Sequence, residues 1–427
     1  MIDQKLIIEN PDLIAEKLAK KGCVVDFKPF LKMVDRRKEL LVNVENAKAE
    51  RNKLSAMVPQ VKKAGGDVNE IFAKVKQIMA DAKASEEELA KIEEDIKNFL
   101  MPLPNIPDDD LLPGGKENNK VIHQFGEPNK FDFPIKNHVE LCESLGLIDY
   151  ERAAKMSGHG TWVYTGLGAQ LEWALLNFFI SEHLKDGYKF MLPPHILNYE
   201  SGYVAGQFPK FIDDVFSLEN VTPRKFILPT AETALVNFHR DEILSEDELP
   251  KKYFAYTPCY RKEAGAYRTE ERGMIRGYQF NKIEMFQYTT EEGDMPAFEE
   301  LVKKACSLVE KLGLVFRVSK LASGDISASM ARTYDIEVYI PSVGIYKEVS
   351  SVSTAHDYQA RRGMIRYRDK KTGKVKYAHT LNGSGLATSR IFPAMIEQMQ
   401  QPDGSVKIPE VLRPYMGGLD YIKPIKK

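Results

Sequence analysis

The first hundred residues carry a hydrophobic repeat that the rest of the chain lacks. From Val75 through Ile78, Ala82, Ser85, Leu89, Ile92, Ile96 and Phe99, the small or apolar positions step alternately by three and four, the seam of a coiled coil. An earlier segment places Phe27, Phe30, Val34, Leu41 and Val44 on a similar seam, less regular toward Leu54 and Val58. The short Gly65-Gly66-Asp67 turn between them predicts two helices folded back antiparallel, each roughly 45 Å long at about 1.5 Å per residue. Pro59 is expected to end or bend the first. The proline-rich run from Met101 to Pro107, with the acidic and glycine-containing stretch to Lys120, reads as a linker.

Beyond the linker the period changes. Helical spacing over Gly168 to Leu184 alternates with strand-like runs such as Tyr334 to Pro341 and Tyr346 to Ser353, which predicts an α+β fold: an antiparallel sheet flanked by helices. The apolar stripe Leu171, Ala174, Leu175, Phe178 and Phe179 suits plain core or a subunit interface. The segment Ala378 to Arg390 reads as strand, glycine turn and helix. Gly383 and Gly385 would then let backbone approach a ligand, and Arg390 would occupy the opening turn of the helix.

The richest chemistry lies on two runs, Thr257 to Glu263 and Gly277 to Met285. Strand alternation puts Arg261 and Glu263 on one face of the first run, and Phe280 and Glu284 on one face of the second. If the runs pair with those faces aligned, a guanidinium for phosphate, a ring for adenine and carboxylates for an ammonium or hydroxyl share one floor. The same residues also suit an exposed hairpin with cross-strand charge pairs. Glu348 and Ser351 could reach a common Mg²⁺ or mark a polar strand edge. Thr230 is placed to cap a helix beginning near Ala234, with Glu232 in its first turn. The chain has neither a Gly-x-x-x-x-Gly-Lys-Ser/Thr loop nor a dinucleotide fingerprint, so phosphate handling falls to arginines and metal.

At 427 residues, 43% hydrophobic, the chain is long enough for two or three domains, and its net charge of -1 excludes general polyanion affinity. Nucleic-acid contact would need a local patch. Arg51, Lys53, Lys62, Lys63, Lys74 and Lys76 gather near the turn of the helical pair, as a phosphate-reaching tip or a solvated helical face. Cys23, Cys142, Cys259 and Cys306 lack metal-ligand spacing, so no zinc is expected. The polar amino terminus and the lack of a long uncharged apolar run lead to the expectation of a cytoplasmic protein with no membrane partner.

Several strings together carry a family resemblance: Thr230-Ala-Glu232, Arg261-Lys-Glu-Ala-Gly265, Glu348-Val-Ser-Ser351, Gln359-Ala-Arg-Arg362 and Thr380-Leu-Asn-Gly-Ser-Gly-Leu-Ala387. The chain resembles class II aminoacyl-tRNA synthetases, and within them the bacterial-type seryl-tRNA synthetases. The resemblance implies a tRNA-binding domain over residues 1–110 with a coiled-coil arm at about 27–100. A catalytic domain over 111–427 would then hold motif 1 at about 166–194, motif 2 at about 253–286 and motif 3 at about 378–399.

The implied reaction is ATP-dependent activation of L-serine to seryl-adenylate, then transfer to tRNA(Ser), with tRNA(Sec) as a further acceptor. The resemblance assigns Arg261 and Arg390 as catalytic, and Arg261, Glu263, Phe280, Glu348, Val349, Ser350, Ser351 and Arg390 to ATP. It assigns Thr230, Ala231, Glu232, Arg261, Glu284, Asn382 and Ser384 to serine, and Glu348 and Ser351 to Mg²⁺. The basic residues of the arm would hold the long variable arm of the tRNA, the acceptor end would enter the active site, and motif 1 would build a homodimer. Departures from the family pattern in the loop Ala266 to Arg272, in Val352 to His356 and in Ala387 to Ser389 keep open a paralogue with altered inhibitor tolerance; an amino-acid:carrier-protein ligase is the other alternative.

Overall fold

A computed structural model describes residues 1–128, 130–262 and 273–425, which divide into two compact units. One comprises Ile2–Ala19 and Cys23–Leu103, and is built on α1 (Lys28–Lys63) and α2 (Asn69–Leu100). The helices run antiparallel: Phe30 stacks on Phe99 at 5.8 Å between ring centroids, and Arg36 pairs with Glu88 at 2.9 Å. None of the seam positions named from Val75 to Phe99 is exposed. Lys53, Lys62, Lys63, Lys74 and Lys76 are all exposed, whereas Arg51 is half-buried with its guanidinium on the Asn52 side chain at 2.8 Å. Pro59 does not end α1, which continues to Lys63. One lost N–H bond is outweighed where Val58 and Val61 stay partly covered on either side.

The second unit contains residues 104–427 with Met1 and Lys20–Gly22. Its main sheet uses β1 (Lys120–Phe125), β2 (Lys189–Met191), β3 (Lys251–Tyr260), β4 (Gln279–Thr289), β5 (Phe316–Lys320), β6 (Arg332–Ile340), β7 (Ile345–Thr354) and β8 (His379–Ala387). Their order is β1-β5-β6-β7-β8-β4-β3-β2, antiparallel except for the β2/β3 pair. Three helices pack on one face: α3 (Leu167–Lys185), α4 (Asp294–Lys311) and α5 (Thr388–Gln398). Ile283 and Met285 of β4, Val352 of β7 and Leu381 of β8 join Leu175, Phe179, Leu301 and Phe392 of the helices in one buried cluster. Among the described residues, no helix is long and apolar enough to cross a membrane.

The glycine turn expected before α5 is instead continuous strand. Gly383 and Gly385 lie inside β8, which passes directly into α5. Both point toward the helices: a Cβ on Gly385 would come 2.3 Å from His183 Nε2, and one on Gly383 would press on Val352 at 3.1 Å. These glycines make room for α3 and the neighbouring strand, and His183 Nε2 bonds the Gly385 carbonyl at 2.7 Å.

Two polar clusters fasten helices to the sheet. Asp294, first residue of α4, accepts from Thr354 Oγ1 at 2.7 Å and contacts both His379 and His356, and His356 also reaches Asp108 at 2.8 Å. Burial alone would lower the His356 pKa, but its bonds to Asp108 and Asp294 raise it to about 10. In the second cluster Glu172 of α3, only 3% exposed, accepts from Asn281 of β4 at 2.8 Å and Thr388 of α5 at 2.6 Å. Its other oxygen is buried without a donor among the described residues, and burial raises the carboxyl to about 7.

A carboxyl whose folded pKa is raised from 4.5 to about 7 binds more protons folded than unfolded, so its contribution to stability declines as pH rises through that window. Glu172→Gln keeps the acceptor oxygen and removes the acid. Relative to the unaltered protein, the variant should gain up to about 3 kcal/mol on going from about pH 5 to about pH 8. Denaturant unfolding of both proteins at the two pH values measures this, and parallel pH dependences would contradict it.

Candidate active site

The helix-covered face of the sheet takes alternate residues, and the remaining ones form the floor of a cleft. On β4 these are Phe280, Lys282 and Glu284; on β8, Asn382 and Ser384; on β7, Ser351 and Ser353. Strand register aligns them: Glu284 lies opposite Ser384, and Ser353 opposite Asn382. Glu348 and Ser351, three apart, would ordinarily face opposite ways. The β6/β7 register shifts between Ile336 opposite Ser350 and Glu337 opposite Glu348, leaving Val349 as an extra residue. That bulge brings the Glu348 carboxylate to the same side as Ser351.

The main cavity, about 480 Å³, is lined by Thr230, Glu232, Arg261, Glu284, Asn382 and Ser384, with Glu348 and Ser351 farther along. A smaller one of about 80 Å³ holds Phe280, Val349 and Arg390, and shares Arg261, Lys282, Glu348 and Ser384 with the first. A third, about 440 Å³, continues past Glu348, Ser351 and Arg390 to Asp335. Arg261 sits just beyond the end of β3, its backbone N–H on the Tyr278 carbonyl at 3.0 Å, and its guanidinium lies 5.1 Å from the Phe280 ring centroid. Arg390 donates to the Glu348 carbonyl at 2.8 Å and approaches its carboxylate at 3.4 Å.

Two assigned residues stand outside the cleft lining. Ala231 is fully buried among Val204, Leu235 and Phe286. Ser350 is buried with its hydroxyl on the Ser384 carbonyl at 2.7 Å, so its side chain braces β8 from within the sheet. Glu263 and the loop Ala266 to Arg272 lie outside the described residues. Thr230 and Glu232 precede and open a helical segment of four residues, Glu232–Leu235, with the Thr230 hydroxyl accepting from the Glu232 N–H at 3.3 Å.

Two cleft residues, Lys282 and Arg276, carry no assignment from the sequence, nor does Gln359, buried behind Glu232. Lys282 is two positions from Phe280 and from Glu284 on one strand, so the alternation that selected those two also points it into the cleft. Its ammonium contacts Glu284 and donates to Thr230 Oγ1 at 2.7 Å. Arg276, in the loop before β4, lines all three cavities, and no local pattern singles it out. Gln359 Nε2 donates to Glu232 Oε1 at 2.8 Å, from a helix remote in sequence.

The cleft therefore holds cations, carboxylates and an aromatic plate along a continuous surface. A family model described as tRNA synthetase class II core domain (G, H, P, S and T) matches residues 216–399, and one described as seryl-tRNA synthetase N-terminal domain matches residues 1–107. A protein named serine–tRNA ligase 2 from Clostridium acetobutylicum is 58% identical over 421 residues, covering 98% of this chain and 99% of its own. The chain belongs to the seryl-tRNA synthetases. A seryl-tRNA synthetase structure from Pyrococcus horikoshii, complexed with ATP, aligns over 100% of both chains with a TM-score of 0.93 and 32% identity. The serine–tRNA ligase of Thermodesulfovibrio yellowstonii is 43% identical over 99% of this chain and 100% of its own.

Within this seryl-tRNA synthetase cleft, Glu232 titrates near neutrality. Burial, and then the neighbouring charge of Glu284, raise its carboxyl to about 7. If a ligand ammonium pairs with the ionised form, amino-acid binding should weaken as pH falls below about 7. The amino-acid KM in ATP–pyrophosphate exchange is expected to rise several-fold between about pH 8 and pH 6, while the ATP KM holds steady. Glu232→Gln should raise that KM about tenfold or more at the higher pH and flatten its pH dependence.

Proposed function

We propose that the cleft activates L-serine and loads it onto tRNA(Ser). The serine carboxylate oxygen attacks the α-phosphorus of ATP, forming seryl-adenylate as pyrophosphate leaves. A ribose hydroxyl of the terminal adenosine then attacks the adenylate carbonyl, and AMP departs. Neither step needs a protein nucleophile; the protein positions the reactants and neutralises charge.

The observation that carries this reading is the meeting of Phe280 and Glu284 of β4 with Arg261 and Arg390 from other segments along adjoining cavities. Phe280 stacks on adenine with Arg390 across from it and toward the γ-phosphate. Arg261 bridges the serine carboxylate and the α-phosphate. Thr230 and Glu232 hold the amino group, and Glu284, Asn382 and Ser384 surround the hydroxyl. Glu348 and Ser351 would hold Mg²⁺, which when bound supplies positive charge to the phosphates. Asp335 supports that fit: it lies opposite Ser351, its Oδ1 is buried without a donor among the described residues, and burial and Glu348 push its carboxyl upward.

Residues 1–110 form the tRNA-binding part and 111–427 the catalytic part. Exposed Lys53, Lys62, Lys63, Lys74 and Lys76, with Arg51, supply phosphate contacts to the long variable arm. A homodimer built on α3 would cover its exposed Trp173 and Leu184.

ATP–pyrophosphate exchange across the amino acids, followed by transfer to purified tRNA, tests the whole assignment: serine alone should support rapid exchange and tRNA(Ser) should accept it. Glu284→Ala should depress serine-dependent exchange by about 10³-fold or more with little change in ATP binding; near-normal exchange would refute the pocket assignment. Replacing Lys62, Lys63, Lys74 and Lys76 by Ala should raise the tRNA KM about tenfold or more and flatten its salt dependence, leaving exchange unchanged.

A further inference from the structure

Lys282 is the buried cation of the amino-acid pocket. It is 6% exposed and lines both the main cavity and the smaller nucleotide pocket. An ammonium carries three N–H donors. One meets Glu284 Oε2, a second meets Thr230 Oγ1 at 2.7 Å, and the third makes no hydrogen bond among the described residues. Glu284 is itself only 1% exposed, and its Oε1 accepts from Asn382 Nδ2 at 3.1 Å. The Asn382 amide is thus engaged with the carboxylate, and the ionised carboxylate can accept hydrogen bonds but not donate them.

A side-chain hydroxyl entering beside Glu284 meets two complementary groups. It can donate its proton to the carboxylate while its oxygen accepts the third N–H of Lys282. We infer that Lys282 is a specificity-determining residue, and that it and Glu284 together read the substrate hydroxyl as donor and acceptor at once. The inference rests on the serine-activating reading of the cleft and adds a cationic point of recognition to it. A methyl group satisfies neither partner. A thiol is a weak donor and a weak acceptor, so cysteine is rejected on the ammonium side as well as the carboxylate side.

The alternative role for Lys282 is a counter-ion that holds Glu284 ionised and in place. That role acts only through Glu284, so with Glu284→Gln already in place the loss of Lys282 should cost serine nothing further, whereas hydroxyl reading predicts a further loss confined to serine. The test is exchange with serine, cysteine and alanine on the unaltered full-length protein, on Lys282→Met and Lys282→Arg, and on Glu284→Gln with and without Lys282→Met, with ATP KM and thermal melting as folding controls. In Lys282→Met, kcat/KM for serine should fall about 100-fold, while the values for cysteine and alanine change less than about threefold. The serine-to-cysteine ratio should therefore drop by at least about tenfold, and Lys282→Arg, which retains charge and donors, should recover part of it.

A Lys282→Met protein that melts and binds ATP normally yet keeps the original ratio overturns the inference and leaves the proposed function standing. Absence of serine-dependent exchange in the unaltered protein overturns the proposed function, and the inference with it. If Lys282→Met does not fold, the folded Lys282→Arg protein decides: altered hydroxyl geometry should shift its serine-to-cysteine ratio by at least about threefold, and an unchanged ratio counts against the inference. In the unaltered protein, cysteine should compete with serine no better than alanine does; tight competition by cysteine is the opposing result.

Discussion

Burial of one face of the antiparallel sheet beneath α3, α4 and α5 is the constraint on which the site depends. Ile283, Met285, Val352 and Leu381 must turn toward those helices, because exposing each to water would cost roughly 1.5–3 kcal/mol. Strand pleating then leaves Lys282, Glu284, Ser351, Asn382 and Ser384 facing the other way, with no freedom to rotate the polar set independently of the apolar one. Gly383 and Gly385 belong to this packing arrangement: they let β8 lie close to α3 and its neighbours while Asn382 and Ser384 occupy the opposite face. Two local departures interrupt the pairing: the β4/β8 register shifts between Lys282 and Glu284, and the bulge at Val349 moves Glu348 onto the functional side.

That arrangement requires charges in a largely buried floor. Lys282 against Glu284, with Asn382 and Thr230 around them, keeps those charges paired and hydrogen-bonded. Glu232 is less fully compensated, with Gln359 as its hydrogen-bond donor, so its carboxyl rises toward neutrality. Glu172 shows the same economy behind the cleft, where a half-satisfied carboxyl joins α3 to Asn281 and Thr388, close in sequence to Phe280 and Arg390. Helix packing and cleft shape thereby share one polar contact.

The regular parts of the molecule were legible residue by residue. The three-four stepping from Val75 to Phe99 identified the seam of α2, and pleat alternation placed Phe280 and Glu284 together because both effects follow from local backbone geometry. Pro59 and the glycines of β8 were less legible. A proline or glycine reports what the backbone can do, while tertiary packing chose an unbroken helix in one case and close strand contact in the other. Lys282 was available to the same alternation rule; Arg276, which reaches the cleft from a loop, and Gln359, which reaches Glu232 from a helix, were not, since neither lies in a local pattern that carries such a signal.

By itself, the sequence determined the two-helix segment, the antiparallel α+β body, the family and most of the polar residues of the cleft, since these rest on periodicity and on motif strings. Only tertiary structure decided that Ala231 and Ser350 turn into packed interior, that Val349 bulges, and that Lys282 joins Glu284 to Thr230. The physical reason is that hydrophobic period is a property of neighbouring residues, whereas register, bulges and buried charge pairing depend on strands far apart in the chain and are settled only when those strands share one sheet.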